Sequence, residues 1–185
     1  MKKKYVQVGL GGRARFFYEA IASTYHQTCE LVGFCDVSQT RMDYANRILV
    51  NKYGQKKVKT CMPSQFEQLL DDVRPAEVII TSVDRTHHDY IIRAMKKGYD
   101  VICEKPLTID EEKAQEIITV QKQTGRSLRV TFNYRYAPYH TKIKELIESD
   151  VIGDVFSIHF EWLLNTQHGA DYFRRWHRNK HNSGG

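Results

Sequence analysis

Apolar and polar positions fall into two alternating rhythms over the first two-thirds of the chain. Short apolar runs, dense in β-branched residues, recur at 5–8, 30–36, 58–62, 76–81, 99–103 and 128–132. Their composition and length predict strands buried on both faces. Between them lie longer stretches with helical spacing: 13–24, 38–53, 63–73, 86–97 and 109–124. The second of these places Met42, Ala45, Ile48 and Leu49 on one face. Gly54, Gly98 and Gly125 stand where helices should stop, and Pro63 stands where one should start. Asp110, Glu111 and Glu112 complement the dipole at the start of the fifth helix. Strand and helix in strict alternation predict an α/β fold, a doubly wound parallel sheet of Rossmann type with strand order 3-2-1-4-5-6.

The rhythm changes near Arg135. A helix over 139–149, a turn at Gly153 and an aromatic-rich strand over 155–164 follow. The last stretch, 163–185, is polar, aromatic, rich in Arg and His, and without periodicity. Residues 1–135 are therefore expected to form a dinucleotide-binding domain. Residues 136–185 are expected to begin a second α/β domain for substrate and oligomerisation. The ending Ser183-Gly184-Gly185 reads as a truncation, or as the N-terminal part of a longer polypeptide.

The first strand runs into Gly9-Leu10-Gly11-Gly12-Arg13-Ala14 and then a helix, which is the context a G-x-G-x-x-G/A dinucleotide fingerprint requires. Gly9 permits the tight turn. Gly11 lacks the Cβ that would hold a pyrophosphate away, and Ala14 lets the helix pack close to the strand. Amides at the helix start, those of Gly12 and Arg13 among them, face the phosphates. Asp36 ends the second strand about 20–25 residues later, where an acid accepts hydrogen bonds from the adenosine ribose and repels a 2′-phosphate. That favours NAD over NADP. An acid at a strand end, or an N-cap for the next helix, is the alternative for Asp36.

The net charge of +6 is spread among acids, and no nucleic-acid motif is present, so a nucleic-acid partner is not expected. No apolar run reaches the length of a membrane span, and the Lys-rich start leads into a strand, so a cytoplasmic location is expected. The four cysteines form no C-x-x-C pair, and Cys35 and Cys103 sit in apolar strands, which favours buried reduced thiols. His177 and His181 would share a face if helical, but nothing supplies further ligands, so no metal is expected.

At Ile102-Cys103-Glu104-Lys105-Pro106-Leu107 the chain resembles the Gfo/Idh/MocA (glucose–fructose oxidoreductase / inositol dehydrogenase) family. The segments 81–88, 132–136 and 169–178 support the resemblance, which covers essentially the whole chain. It implies an NAD-dependent dehydrogenase moving a hydride between nicotinamide and a sugar, polyol or cyclic alcohol, and a homo-oligomer. Lys105 is then the catalytic residue, a buried ammonium that donates a hydrogen bond to the substrate oxygen as charge develops and joins a proton relay; the alternative is a surface lysine before a turn proline. The resemblance also implies a cis bond before Pro106. Ser82, Asp84, His87, Glu104, Asn133 and Trp176 join the cofactor-binding set. Glu104 binds a ribose hydroxyl or pairs with Lys105, or is simply a solvated acid. His87 either approaches the cofactor or merely opens a helix. Asn133 meets the carboxamide or ribose, or caps a turn. Trp176 approaches the nicotinamide, or its loop docks on the core. Where the family often has Thr-Pro-Asn, this chain has Ser82-Val83-Asp84, which alters hydrogen bonding near the nicotinamide ribose. The family's Asp-x-x-x-His pair would fall beyond Gly185, so this stretch alone is not expected to turn over. Two other functions fit the same residues: glycoside cleavage with the NAD recycled in each turnover, and a non-catalytic NAD-binding sensor.

Overall fold

Six strands pair in parallel in the order β3-β2-β1-β4-β5-β6. They are β1 (Lys3–Val8), β2 (Cys29–Cys35), β3 (Lys59–Cys61), β4 (Glu77–Ile80), β5 (Asp100–Glu104) and β6 (Leu128–Thr131). The computed structural model describes residues 1–185, the side chains of His168 and Asp171 excepted. Every residue of β4 is buried, as a strand with helices above and below must be. The order reverses between β1 and β4, the switch point at which sheets of this kind form a ligand crevice beyond their carboxyl ends.

Helices α1 (Ala14–Ala22) and α2 (Gln39–Tyr53) cover one face. Ala14, Tyr18, Met42, Ala45 and Leu49 pack there with Leu10 and Phe34. On the other face, α3 (Phe66–Val73), α4 (Asp84–Lys96) and α5 (Glu111–Thr124) bury Phe66, Leu70, Ile91, Met95 and Ile117 against Val6, Val8, Val78 and Ile80. The ends are capped as their residues dictate. Ser38 and Asp110 accept from the amides of Arg41 and Lys113, and Gly54 (φ 63°) and Gly125 (φ 66°) close α2 and α5 in the left-handed region. All four cysteines are free, and Cys35, Cys61 and Cys103 are buried.

After β6 come a 3-10 turn (Asn133–Tyr136), α6 (Pro138–Glu148), α7 (Thr166–Arg174), a second 3-10 turn (Trp176–Arg178) and α8 (Lys180–Ser183). Two expectations fail here. The strand expected over 155–164 does not form, and Phe156, Ile158, Phe160 and Leu163 are exposed. Alternation supplies a face to bury, but a strand also needs a neighbour for its N–H and C=O groups, and none of the described residues pairs with this segment. The stretch read as aperiodic carries α7 and α8 instead. Their shortness, with Gly169 inside α7, hides the helical period. Among the described residues no helix is long and apolar enough to cross a membrane, and no three His, Cys, Asp or Glu side chains gather as a metal site.

Candidate active site

The glycine loop between β1 and α1 shows why each small residue is there. Gly9 has φ 79°, and a Cβ on it would stand 2.4 Å from the Ser82 Cα and 2.5 Å from the Ser82 amide nitrogen. The exits of β1 and β4 touch at this point, so Gly9 serves a close approach as well as the turn. A Cβ on Gly11 or Gly12 would meet nothing within 4 Å. The amides of Gly11, Gly12 and Arg13 donate to no described residue, whereas Ala14 N already donates to Gly11 O (3.1 Å). Three unspent N–H groups at a helix N-terminus, under open space, fit the diphosphate of a dinucleotide. The residues present therefore suit the cofactor that their pattern implies.

Two buried residues hold this cradle, and the sequence reading passed over both. Thr81 Oγ1 donates to Gly9 O (2.5 Å), and Gln7 Nε2 donates to Thr81 Oγ1 (3.1 Å) and to Ala14 O (3.0 Å). Gln7 is fully buried beneath α1. The available signal was an amide in the middle of Tyr5-Val6-Gln7-Val8, a central strand where a polar side chain must find partners.

Asp36 sits at the tip of β2 and is also buried. Its Oδ2 accepts from Leu10 N (2.5 Å), its Oδ1 accepts from Ser38 N (2.8 Å), and Arg41 Nη1 lies 3.7 Å away. The N-cap of α2 is Ser38. Asp36 thus pins the glycine loop to the end of β2, and one loop amide is spent on it.

Beyond β4 and β5 the remaining residues converge. Ser82 Oγ accepts from Thr86 Oγ1 (2.7 Å). Asp84, half-buried at the start of α4, has its carboxyl pushed up to about 6 by burial, the nearby charge of Lys105 acting in the opposite direction. His87 is buried, and its ring nitrogens lie 2.8 Å from Pro106 O and 3.1 Å from Ser82 O. Burial lowers its basicity, while the two carbonyls act the other way. A neutral ring donates to one of them. His87 thereby clamps the turn after β4 to the turn after β5. Lys105-Pro106 is cis, as expected.

Glu104 is only 5% exposed, and both of its carboxylate oxygens are engaged. Its Oε1 accepts from Arg13 Nη2 (2.6 Å) and Nε (3.2 Å), and its Oε2 accepts from Lys105 N (2.9 Å). Its burial rules out a solvated acid, and none of the sequence readings foresaw Arg13 as its partner. Lys105 itself is exposed, not buried as expected. It follows the last residue of β5 at the lip of the crevice, where no described element covers it.

The structure thus joins Gly9–Ala14, Asp36, Ser82, Asp84, Glu104 and Lys105 along one edge of the sheet. Asn133 is exposed at the end of β6 and hydrogen-bonds to none of them. Trp176 stacks on His177 at 3.6 Å, in a turn followed by α8, which packs against α4. His177 and His181 fall in separate elements.

Residues 3–132 match the model of an oxidoreductase family with an NAD-binding Rossmann fold, and residues 144–185 match that family's C-terminal alpha/beta domain. YteT of Bacillus subtilis is 32% identical over 185 residues, 99% of this chain and 42% of its own length. Glucose-6-phosphate 3-dehydrogenase of the same organism is 31% identical over 169 residues, 89% of this chain and 43% of its own. The crystal structure of scyllo-inositol dehydrogenase from Lactobacillus casei, with bound NAD(H) and scyllo-inositol, shares the fold at TM-score 0.73 and 24% identity, over 83% of this chain and 43% of that one. The chain thus spans less than half the length of the relatives it matches.

Proposed function

This chain belongs to the Gfo/Idh/MocA family of oxidoreductases, and we propose that it forms the cofactor-binding part of an NAD-dependent enzyme that moves a hydride between nicotinamide and a carbinol carbon of a sugar, polyol or cyclic alcohol. Residues 1–135 serve in this reading as the dinucleotide domain and 136–185 as the start of the second. The observation that carries the proposal is the cradle: three unspent amides on the glycine loop, at the edge where Lys105 also stands.

The amides of Gly11, Gly12 and Arg13 receive the diphosphate, with the α1 dipole behind them. Asp36 places negative charge where a 2′-phosphate would lie, which selects NAD over NADP. A bound nicotinamide supplies the hydride acceptor. In the oxidation direction the substrate C–H pair of electrons leaves as hydride and the hydroxyl proton must pass to a base. Lys105 Nζ, on the open side of the crevice, hydrogen-bonds the reacting oxygen and stabilises its growing negative charge. Asp84, with a carboxyl that titrates near 6, stands beside it to relay the proton.

Calorimetric titration of the chain with NAD and with NADP tests the cofactor half: NAD is expected to bind more tightly, and a preference for NADP would remove the role given to Asp36. A panel of polyols and sugars, followed by NADH absorbance in a polypeptide carrying these residues, tests the chemistry. Cofactor that never exchanges would favour the recycling reaction, and binding without reduction across the panel would favour a sensor.

A further inference from the structure

We propose that Arg13 is a positioning residue for Lys105, acting through Glu104, so that the phosphate cradle and the reacting amine form one hydrogen-bonded unit. The inference rests on Lys105 being the amine that meets the reacting oxygen. Arg13 opens α1 on the glycine loop, and Glu104 ends β5, with β4 between their strands. The guanidinium therefore reaches over the crevice. Its Nε and Nη2 both bind Glu104 Oε1, which leaves Oε2 to take the Lys105 amide at 2.9 Å.

Each part of this relay has a physical reason. A carboxylate so deeply buried is tolerated only when its charge is met, and Arg13 is its one ion-pair partner among the described residues. Charge-assisted bonds of this kind are about twice as strong as neutral ones. The arm is itself aimed: the Arg13 guanidinium lies 4.7 Å from the centre of the Phe16 ring. Lys105 Nζ makes no hydrogen bond to a described residue, so the backbone alone decides where the side chain starts. Loss of Arg13 would leave Glu104 buried and unpaired. The carboxylate would then take up a proton or turn toward water, and either change weakens the hold on the Lys105 amide. Arg13 also carries one of the three unspent cradle amides, so whatever seats the diphosphate also sets the arm.

The test compares Arg13→Ala, Arg13→Lys and Glu104→Gln with Lys105→Ala. Amide hydrogen exchange at Lys105, read by NMR on the 185-residue chain, is expected to quicken about tenfold in Arg13→Ala and to be partly restored in Arg13→Lys, whose single ammonium cannot reproduce the fork. NAD affinity of the chain should change by less than about threefold, since the cradle amides survive. In a polypeptide that turns over, Arg13→Ala should lower kcat by about 100-fold at saturating NAD while the KM for NAD stays near its starting value. Unchanged exchange at Lys105, or a raised KM for NAD with kcat intact, overturns the inference and makes Arg13 a phosphate ligand only. Full turnover by Lys105→Ala would instead sink the reading on which the inference rests, leaving the exchange result to decide the relay.

Discussion

Phe34 and Phe156 are the same residue type in two apolar runs of one chain, yet Phe34 is 0% exposed and Phe156 is 94% exposed. Phe34 lies on β2 between two hydrogen-bonded neighbours, with the Tyr18 ring edge-on at 5.9 Å. Phe156 lies in a run of similar polarity that has no ladder among the described residues. Apolar pattern sets which side chains gain from burial. Backbone pairing sets whether a strand exists to bury them. In the Rossmann sheet both conditions are met, and in 155–164 only the first is.

The sharpest test of that contrast is to truncate both rings. Phe34→Ala should cost about 3–5 kcal/mol in urea unfolding of the chain, because it opens a cavity against Tyr18 and α1. Phe156→Ala should stay within about 0.5 kcal/mol. Equal losses would mean that the run over 155–164 is packed after all, and the comparison would break.

A second test asks whether the sheet's order extends into its loops. Gly9→Ala places a methyl 2.4 Å from the Ser82 backbone at φ 79° and should cost about 3 kcal/mol. NAD binding should be lost with it, since the cradle rides on this contact. Gly12→Ala meets nothing within 4 Å and should leave unfolding nearly unchanged while weakening NAD. Two glycines three residues apart would then separate the fold from the site.

Those glycines also show how much could be read from the residues alone. The strand order and the helix stops were legible because Gly, Pro and the caps punctuate strongly periodic segments. The edge carrying the site was legible too, since parallel strands deliver their last residues to one side. Less visible were the supports. Gln7 and Thr81 carry no motif, and their value appears only when β1, β4 and α1 are assembled. Arg13 and Glu104 are 91 residues apart, so their ion pair belongs to topology rather than to any local pattern. Lys105 was expected to be buried because its chemistry suggests a closed site, but burial is set by what stands over the strand end. The strand over 155–164 was misread for a related reason, since alternation speaks of faces and says nothing of partners.

A third test concerns Asp36, which belongs to both fold and site. Asp36→Ala frees the Leu10 amide and should cost about 2 kcal/mol together with about tenfold in NAD affinity. Asp36→Asn keeps an acceptor for Leu10 but removes the charge. It should be milder in stability and should narrow the gap between NAD and NADP in paired titrations. If Asp36→Asn keeps the full gap between NAD and NADP, the carboxylate serves the loop alone.

The smallest expected effect is at Asp84, where the ordered sheet gives way to the open crevice. Burial raises its carboxyl from 3.8 to about 6, and the native state therefore holds a proton that the unfolded chain has already lost. Stability contributed by this group is fully present below the ordinary value and is lost as pH rises through about 6. Asp84→Asn has no proton to lose. The variant should match the original chain near pH 4 and exceed it by about 1 kcal/mol at pH 8, after discounting for the part of the side chain that water reaches. Melting temperatures taken across that range would show the difference opening between about 4 and 6 and staying level above that. Lys105 and Glu104 are the charged groups that act on Asp84, and they do so with opposite sign. Lys105→Ala should accordingly move the upper limit of that opening upward, because the ammonium is what holds the carboxyl down. A difference that stays flat with pH would place Asp84 in water, outside the crevice, and would take it out of the proton path.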